Sequence, residues 1–352
     1  MRHPAIIFTV LAWLSTAAAF GQPKPVKPEP AKSATEPAAD PNIIRAIIQE
    51  VIVPVTVTDD KGKFVSDLEQ KDFTILDEGR PQNIRYFSRD RGQPVVVGFL
   101  VDQSSAMKKE WKTYMEATTD LVLTLMPDKK FSGFLIGYGT EAELAVNTTQ
   151  DTEKIISRLH KMKPGGGSSL FDAIYQSCNN RALVKGEPLE PRRVIVIIGD
   201  GHDNSSKHTL DQVIELAQRK QFTIYAISST GYGFTSEGDS ALKRITEETG
   251  GRVEYPLQNV YKDVSGYLST PSDEGNYALK VGTGGYAAAI ASSIYKSIAA
   301  VTGEVTTQYI LRYVPDNSEK SENLIYHKLE VRVNLPGVKV RARPRYFPRD
   351  LQ

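Results

Sequence analysis

The chain has 352 residues, of which 40% are hydrophobic, and a formal net charge of +1. That length calls for two or three domains with real cores, while the near-neutral balance, without a Lys/Arg block or an aromatic-interleaved basic patch, argues against a nucleic-acid partner. Cys178 is the only cysteine, which excludes an internal disulfide and leaves stability to packing.

Residues 1–21 read as an export signal: Arg2 and His3, an apolar run from Ala5 to Phe20, and small residues from Ala17 to Gly21 that suit a signal peptidase. An uncleaved membrane anchor is the rival reading, but the run is shorter than a typical span, and no cysteine follows that could carry a lipid. The expected location is secreted, periplasmic or cell-envelope. Residues 22–42 hold six prolines with Lys24, Lys27 and Lys32, the composition of an extended, solvated linker.

From 43 to 92 the hydrophobic period is two. Val51, Val53, Val55 and Val57 alternate with mostly polar partners, a turn follows at Asp59 to Gly62, and short strands continue to Phe87. Residues 304–348 repeat this style. Val305, Thr307, Tyr309, Leu311 and Tyr313 alternate, as do Leu329, Val331 and Val333, before a Pro336-Gly337 turn and then Val338 and Val340. Each part is too short to bury a good core alone. The two are therefore expected to fold together as one discontinuous β-sandwich-like domain, interrupted by an inserted domain.

The centre, 93–303, alternates strands with helices, the signature of an α/β, doubly wound, mostly parallel sheet. Strands are expected at Val95–Val101, Phe131–Tyr138, Leu144–Thr148, Val194–Ile198, Phe222–Ile227 and Arg252–Tyr255. Helical stripes fall on Trp111, Met115, Thr118, Val122 and Leu125; on Ile155, Ile156, Leu159 and Met162; on Leu210, Val213, Ile214 and Ala217; and on Leu242 with Ile245, closed by Gly250 and Gly251. Cys178 follows Leu170, Ile174 and Ser177 at helical spacing and reads as a core residue. Residues 257–285 read as an insertion before a last helix at Tyr286–Val301, with Tyr261, Tyr267 and Tyr277 in a locally packed loop or a contact surface. Gly282, Gly284 and Gly285 lack the Lys and Ser/Thr of a phosphate-binding loop, so no nucleotide site is expected.

Three segments carry chemistry. VVVGFLVDQSSAM, residues 95–107, is an apolar strand ending on Asp102 and followed by hydroxyls; PGGGSSLFD, residues 164–172, is a glycine loop with two serines opening a helix; VIVIIGDGHDN, residues 194–204, is a second apolar strand ending on Asp200. A carboxylate at the tip of a buried strand costs several kcal/mol without a counter-charge. All three segments lie where strands give way to loops, the crevice in which open α/β sheets bind ligands. Oxygen-only donors there select a hard cation such as Mg²⁺.

These segments resemble the metal-ion-dependent adhesion site of the von Willebrand factor type A domain, and the whole arrangement is similar to secreted bacterial proteins of that family. It is also similar to the integrin β subunit, where an A-type domain interrupts a hybrid β-sandwich. The family motif, Asp-x-Ser-x-Ser, a Thr in a glycine loop and a strand-end Asp-Gly, falls on Asp102, Ser104, Ala106, Ser168 and Asp200. Ser168 keeps the hydroxyl of the family's Thr, whereas Ala106 removes one direct ligand and weakens the site. The resemblance implies Mg²⁺ or Mn²⁺ held by Asp102, Ser104 and Ser168, with Asp200 acting through a bound water. It further implies a protein ligand whose acidic side chain completes the metal shell. Ser105 and Ser169 are read as helpers or helix caps, His202 and Asp203 as a solvated turn, and His160 and His208 as surface residues. The expected activity is non-enzymatic binding: Gly-x-Ser-x-Gly and P-loop motifs are absent and Ser104 has no evident base. The alternatives are a metal-free envelope scaffold and a metal-dependent hydrolase.

Overall fold

The structure, a computed structural model, describes residues 50–89, 94–109, 111–179, 191–230, 236–257, 274–315 and 326–347, with only the backbone described over 274–287. The expected signal segment and proline-rich linker lie outside the described residues, as do Tyr261 and Tyr267.

Strand β5 (Val95–Asp102) is buried along its whole length, as a continuous β-branched and apolar run requires when both faces of a parallel sheet are covered. It pairs in parallel with β6 (Phe131–Tyr138) on one side and β8 (Arg192–Gly199) on the other. Beyond β8 lie β9 (Phe222–Ser228) and the short β10 (Val253–Glu254), both parallel; beyond β6 lies the antiparallel edge β7 (Ala142–Thr149). The sheet order β10-β9-β8-β5-β6-β7 makes the gap between β5 and β8 the point where the winding reverses.

Alternate residues of β5 feed two cores, because successive side chains of a strand point to opposite faces. Val95, Val97, Phe99 and Val101 pack with α1 (Trp111–Leu125), α2 (Thr152–Leu159) and α6 (Glu274–Thr307). Val96 and Leu100 pack with α3 (Leu170–Asn179), α4 (Leu210–Arg219) and α5 (Glu237–Thr249). The helix stripes expected from spacing are these buried faces. Their starts are fixed by side-chain caps: Asp151 on α2, a Thr209–Gln212 capping box on α4 and Ser236 on α5. Gly250 ends α5 at φ 88°, the left-handed position glycine occupies without strain.

The last helix departs from expectation. It starts at Glu274 and runs to Thr307, so residues 274–285 of the expected insertion are helical and continuous with the last helix, and Gly282, Gly284 and Gly285 sit within it. Val305 and Thr307 belong to it too, not to a strand. Ile290, Ile294, Ile298, Val301 and Val305 recur at three and four residues and are all buried in the first core; that helical stripe outcompetes the short alternation Val305-Thr307-Tyr309. Among the described residues, no helix is long and apolar enough to cross a membrane.

The terminal segments form two four-stranded sheets. In one, β1 (Val51–Asp59) pairs antiparallel with β11 (Tyr309–Tyr313) and β13 (Val338–Arg341), and β11 pairs with β4 (Ile84–Ser88). In the other, β12 (His327–Val333) pairs with β2 (Phe73–Asp77) and β14 (Arg345–Tyr346), and β2 pairs with β3 (Arg80–Gln82). Val53, Val55, Leu311 and Tyr313 from the first sheet share one core with Phe73, Ile75 and Leu329 from the second. Asp77 ties the sheets: its carboxylate accepts Tyr313 OH at 2.9 Å and Tyr346 OH at 2.8 Å and faces His327 Nδ1 at 2.9 Å.

The sandwich meets the central sheet through polar contacts around the end of α6. Glu304, fully buried, accepts Arg341 Nη2 at 2.8 Å and forms an ion pair with Arg252, whose Nε lies 2.8 Å away. Gln308, the single residue between α6 and β11, donates to Thr56 Oγ1 at 3.2 Å and Tyr225 OH at 2.9 Å. Arg192 donates to Val305 O at 2.8 Å and to the Gln308 side-chain oxygen.

Candidate functional site

Asp102 ends β5 with no solvent exposure. Its Oδ1 accepts the Ser104 backbone N–H at 2.6 Å, and its Oδ2 is buried without a hydrogen-bond partner. Burial pushes its carboxyl up to about 6, the Asp200 charge adds to that rise, and hydrogen bonds from the Ser104 amide and hydroxyl and from the Asp200 backbone oppose it. A side chain at Gly199, opposite Asp102 across the β5–β8 gap, would place its Cβ 2.6 Å from Asp102 Cβ and 2.3 Å from Tyr138 OH. Only glycine permits this approach. Burial raises the Tyr138 hydroxyl well above its ordinary value, and the charges of Asp102, Asp200 and Asp203 add to that rise.

Hydrogen bonds stitch the three predicted segments together. Ser105 N–H donates to Gly166 O at 3.1 Å and Gly165 N–H to Gln103 O at 2.6 Å, joining the first loop to the glycine loop. Ser168 N–H donates to Asn204 Oδ1 at 2.9 Å, and Asn204 and Ser205 N–H return to Ser168 O at 3.0 Å each, joining the glycine loop to the third. Ser168 Oγ donates to His202 O at 2.8 Å. With its proton committed there, the oxygen keeps lone pairs for another partner. Ser104 and Ser168 are buried, and Ser169 Oγ is buried without a hydrogen-bond partner. Ala106 lies exposed in the 3-10 turn Ser105–Lys108.

Asp200 is engaged by its neighbour: Oδ1 accepts His202 N–H at 2.9 Å, and Oδ2 lies 3.2 Å from His202 Nδ1 on a half-exposed ring. Two expectations change. Asp203 is no solvated turn residue; it accepts Phe171 N–H at 2.8 Å, Ser206 N–H at 3.1 Å and Ser206 Oγ at 2.6 Å, fixing the start of α3. Nor is His208 a plain surface residue. Its Nδ1 lies 2.6 Å from Asp172 Oδ1 and its ring stacks on Tyr175 at 3.6 Å. Partial burial pushes the Asp172 carboxyl up, but His208 and the Lys207 and His208 amides hold it below its ordinary value. His160 is exposed at the end of α2, 3.2 Å from Thr119 Oγ1.

The donors suit a hard cation. Asp102 Oδ2 is an orphaned oxygen, and the buried Ser104 and Ser168 lie in its own loop and the facing loop, an oxygen-only set. Among the described residues no three or more His, Cys, Asp or Glu side chains gather as a metal cage. A cation at Asp102 would therefore rest on hydroxyls and water as much as on carboxylates. Sequence reading missed Asn204, Asp203 and Tyr138. Asn204 and Asp203 carried a signal, since short polar side chains beside a glycine turn bond nearby backbone; Tyr138 carried none, being one more apolar position in β6.

The family model described as von Willebrand factor type A domain matches residues 97–264. Among solved structures, mussel byssus proximal thread matrix protein 1 with a zinc-occupied MIDAS motif is similar at 15% identity and a TM-score of 0.39, covering 48% of this chain and 43% of that one. BatB of Bacteroides thetaiotaomicron is similar at 16% identity and 0.37, covering 45% and 88%. A mutant of the PilB minor pilin of Streptococcus sanguinis is similar at 13% identity and 0.42, covering 65% and 64%. This chain thus spans less than half the length of the mussel protein. No curated protein matches it.

Proposed function

Residues 97–264 belong to the von Willebrand factor type A family, and from that premise we propose that the chain is an exported, non-enzymatic protein-binding module with a divalent-cation site at Asp102, Ser104, Ser168 and Asp200. The observation that carries the reading is Asp102: a carboxylate sealed at the winding reversal of the sheet, one oxygen held by Ser104 and the other without a partner. A buried charge so placed costs several kcal/mol unless a cation compensates it.

In this reading Asp102 supplies the charge, and Ser104 and Ser168 supply neutral oxygens. Their positions are set by the bonds that tie residues 103–105 to 165–166 and Ser168 to 202–205. Asp200 acts through water, its Oδ1 being held by the His202 amide. Mg²⁺ or Mn²⁺ bound there would supply an electrophilic charge with an exchangeable position, open to a carboxylate of a partner protein. Ala106 leaves one position to water, so the surrounding loops carry more of the binding. The export signal at 1–21 and the linker at 22–42 would place the module in the periplasm, at the cell envelope or outside the cell. The sandwich, 43–92 with 304–348, would serve as its discontinuous mount.

Isothermal titration of the purified chain with Mg²⁺ and Mn²⁺ tests the site. Saturable binding lost in Asp102→Ala and weakened in Ser168→Ala is expected; unchanged affinity in Asp102→Ala would refute the assignment. A metal-free scaffold is the second reading, favoured by the contact of both Asp200 oxygens with His202. It predicts no heat from either ion.

A further inference from the structure

We propose that the sandwich carries a metal site of its own, for ferric iron, built from Asp77, His327, Tyr313 and Tyr346. It shares no residue with the site at Asp102 and does not depend on that reading.

Both sheets contribute. Asp77 ends β2, His327 begins β12 and Tyr346 ends β14 in one sheet, while Tyr313 ends β11 in the other. Their side chains are all buried and meet on one carboxylate: Asp77 Oδ2 accepts Tyr313 OH at 2.9 Å and Tyr346 OH at 2.8 Å, and Oδ1 lies 2.9 Å from His327 Nδ1. The Tyr346 ring stands edge-on to Tyr313 and 4.9 Å from the His327 ring, which keeps the donors on one side of Asp77. Donors at right angles on an ion with metal–oxygen bonds of about 2.0 Å lie about 2.9 Å apart, so the cluster already has the spacing of a coordination shell. It sits where strands end, with the Glu78–Gly79 turn following Asp77 directly, so an ion reaches it by loosening of a turn rather than through the core.

Donor chemistry selects the ion. A carboxylate, two phenols and one imidazole make a hard, oxygen-rich set without sulfur. With both phenols ionised it carries three negative charges, which a trivalent cation neutralises and a divalent one does not; a net charge left buried is costly. Burial above all, with the Asp77 charge adding to it, raises both phenols, so without the ion they stay protonated and the group is a hydrogen-bonded tie between the sheets. Arg343, buried and interacting with Tyr313, favours a phenolate there. On binding, two phenolic O–H bonds break, two iron–phenolate bonds form and two protons leave to solvent. Asp77 adds one iron–oxygen bond and neutral His327, protonated at Nε2, binds through Nδ1. The iron stays ferric, and water completes the shell.

Titration of the purified full chain with ferric nitrilotriacetate tests this, because phenolate on ferric iron gives a visible charge-transfer band that carboxylate, imidazole and hydroxyl ligands do not. The expected result is a band that saturates in stoichiometry with the chain. It should be lost in the double variant Tyr313→Phe, Tyr346→Phe, need roughly tenfold more iron or worse in His327→Gln, and remain intact in Asp102→Ala. Should the double variant fail to fold, Tyr346→Phe alone, which deletes one hydroxyl from the short strand β14, should weaken and shift the band. Wild type without a visible band, a band unchanged by the tyrosine substitutions, or a band lost in Asp102→Ala would each overturn the proposal and leave Asp77 as a structural tie.

Discussion

Replacing Asp102 with asparagine should change stability in opposite directions with and without a divalent ion. In EDTA the folded carboxyl titrates at about 6 against an ordinary 3.8, raised chiefly by burial. Below pH 3.8 it is protonated in both states and contributes nothing. Between those values the unfolded chain ionises first, so stability falls as pH rises; above about 6 the full cost remains. The gap corresponds to roughly 3 kcal/mol at neutral pH. The introduced asparagine would keep an acceptor for the Ser104 amide but set an amide NH₂ where Oδ2 has no partner, which returns about 1–2 kcal/mol of that gain. Asp102→Asn should therefore be more stable than wild type by about 1–2 kcal/mol in EDTA at pH 7.5, a Tm rise of roughly 2–8 °C; the advantage should be gone by about pH 5 and turn into a deficit toward pH 4, where the carboxyl is neutral and only the unpartnered amide still costs. With Mg²⁺ at a hundredfold over its Kd, wild type gains about 2.7 kcal/mol and the variant nothing, so the order reverses. Calorimetric melts from pH 4 to 8, in EDTA and in Mg²⁺, read both signs. A variant less stable than wild type in EDTA at pH 7.5, or equal Mg²⁺ stabilisation of both proteins, would refute the reasoning.

Ala106→Ser places a hydroxyl in the exposed turn beside Ser104; on the order of 1 kcal/mol of added coordination should tighten Mg²⁺ binding several-fold, read by titration. Glu304→Gln removes the charge that Arg252 and Arg341 share, and breaking a buried ion network should cost about 3 kcal/mol or more in urea unfolding; a loss within error of zero would show that the pairing is not needed at the junction. The Cys178 thiol, buried in the second core and pushed up by that burial, should resist aromatic disulfide reagents until the protein is unfolded; rapid labelling of the native protein would contradict its position.

The central sheet was legible because its strands are continuous apolar runs and its helices carry clean stripes: β5 and β6 begin where the runs begin, and Met115, Ile155, Val213 and Leu242 all face cores. The end of α6 was not, since Val305, Thr307 and Tyr309 satisfy period two and period four alike, and only the partners of Val305 in the first core decide between them. At the site, the strand-end carboxylates and the glycine loop were visible as costly residues in costly places. The clamp formed by Asn204 and Asp203 was not, because its worth lies in accepting Ser168 and Phe171 amides more than thirty residues away.

The single-residue join between α6 and β11 has a mechanical consequence. The proposed site lies at the far end of β5 from the sandwich, roughly 25 Å away along the strand. Tension applied there by a tethered partner would pass down the sheet and α6 and enter the sandwich at β11. That strand is flanked by β1 and β4, so a load along it must shear both ladders at once rather than peel one open. If the chain acts as the proposed binder, its sandwich would thus resist traction along β11.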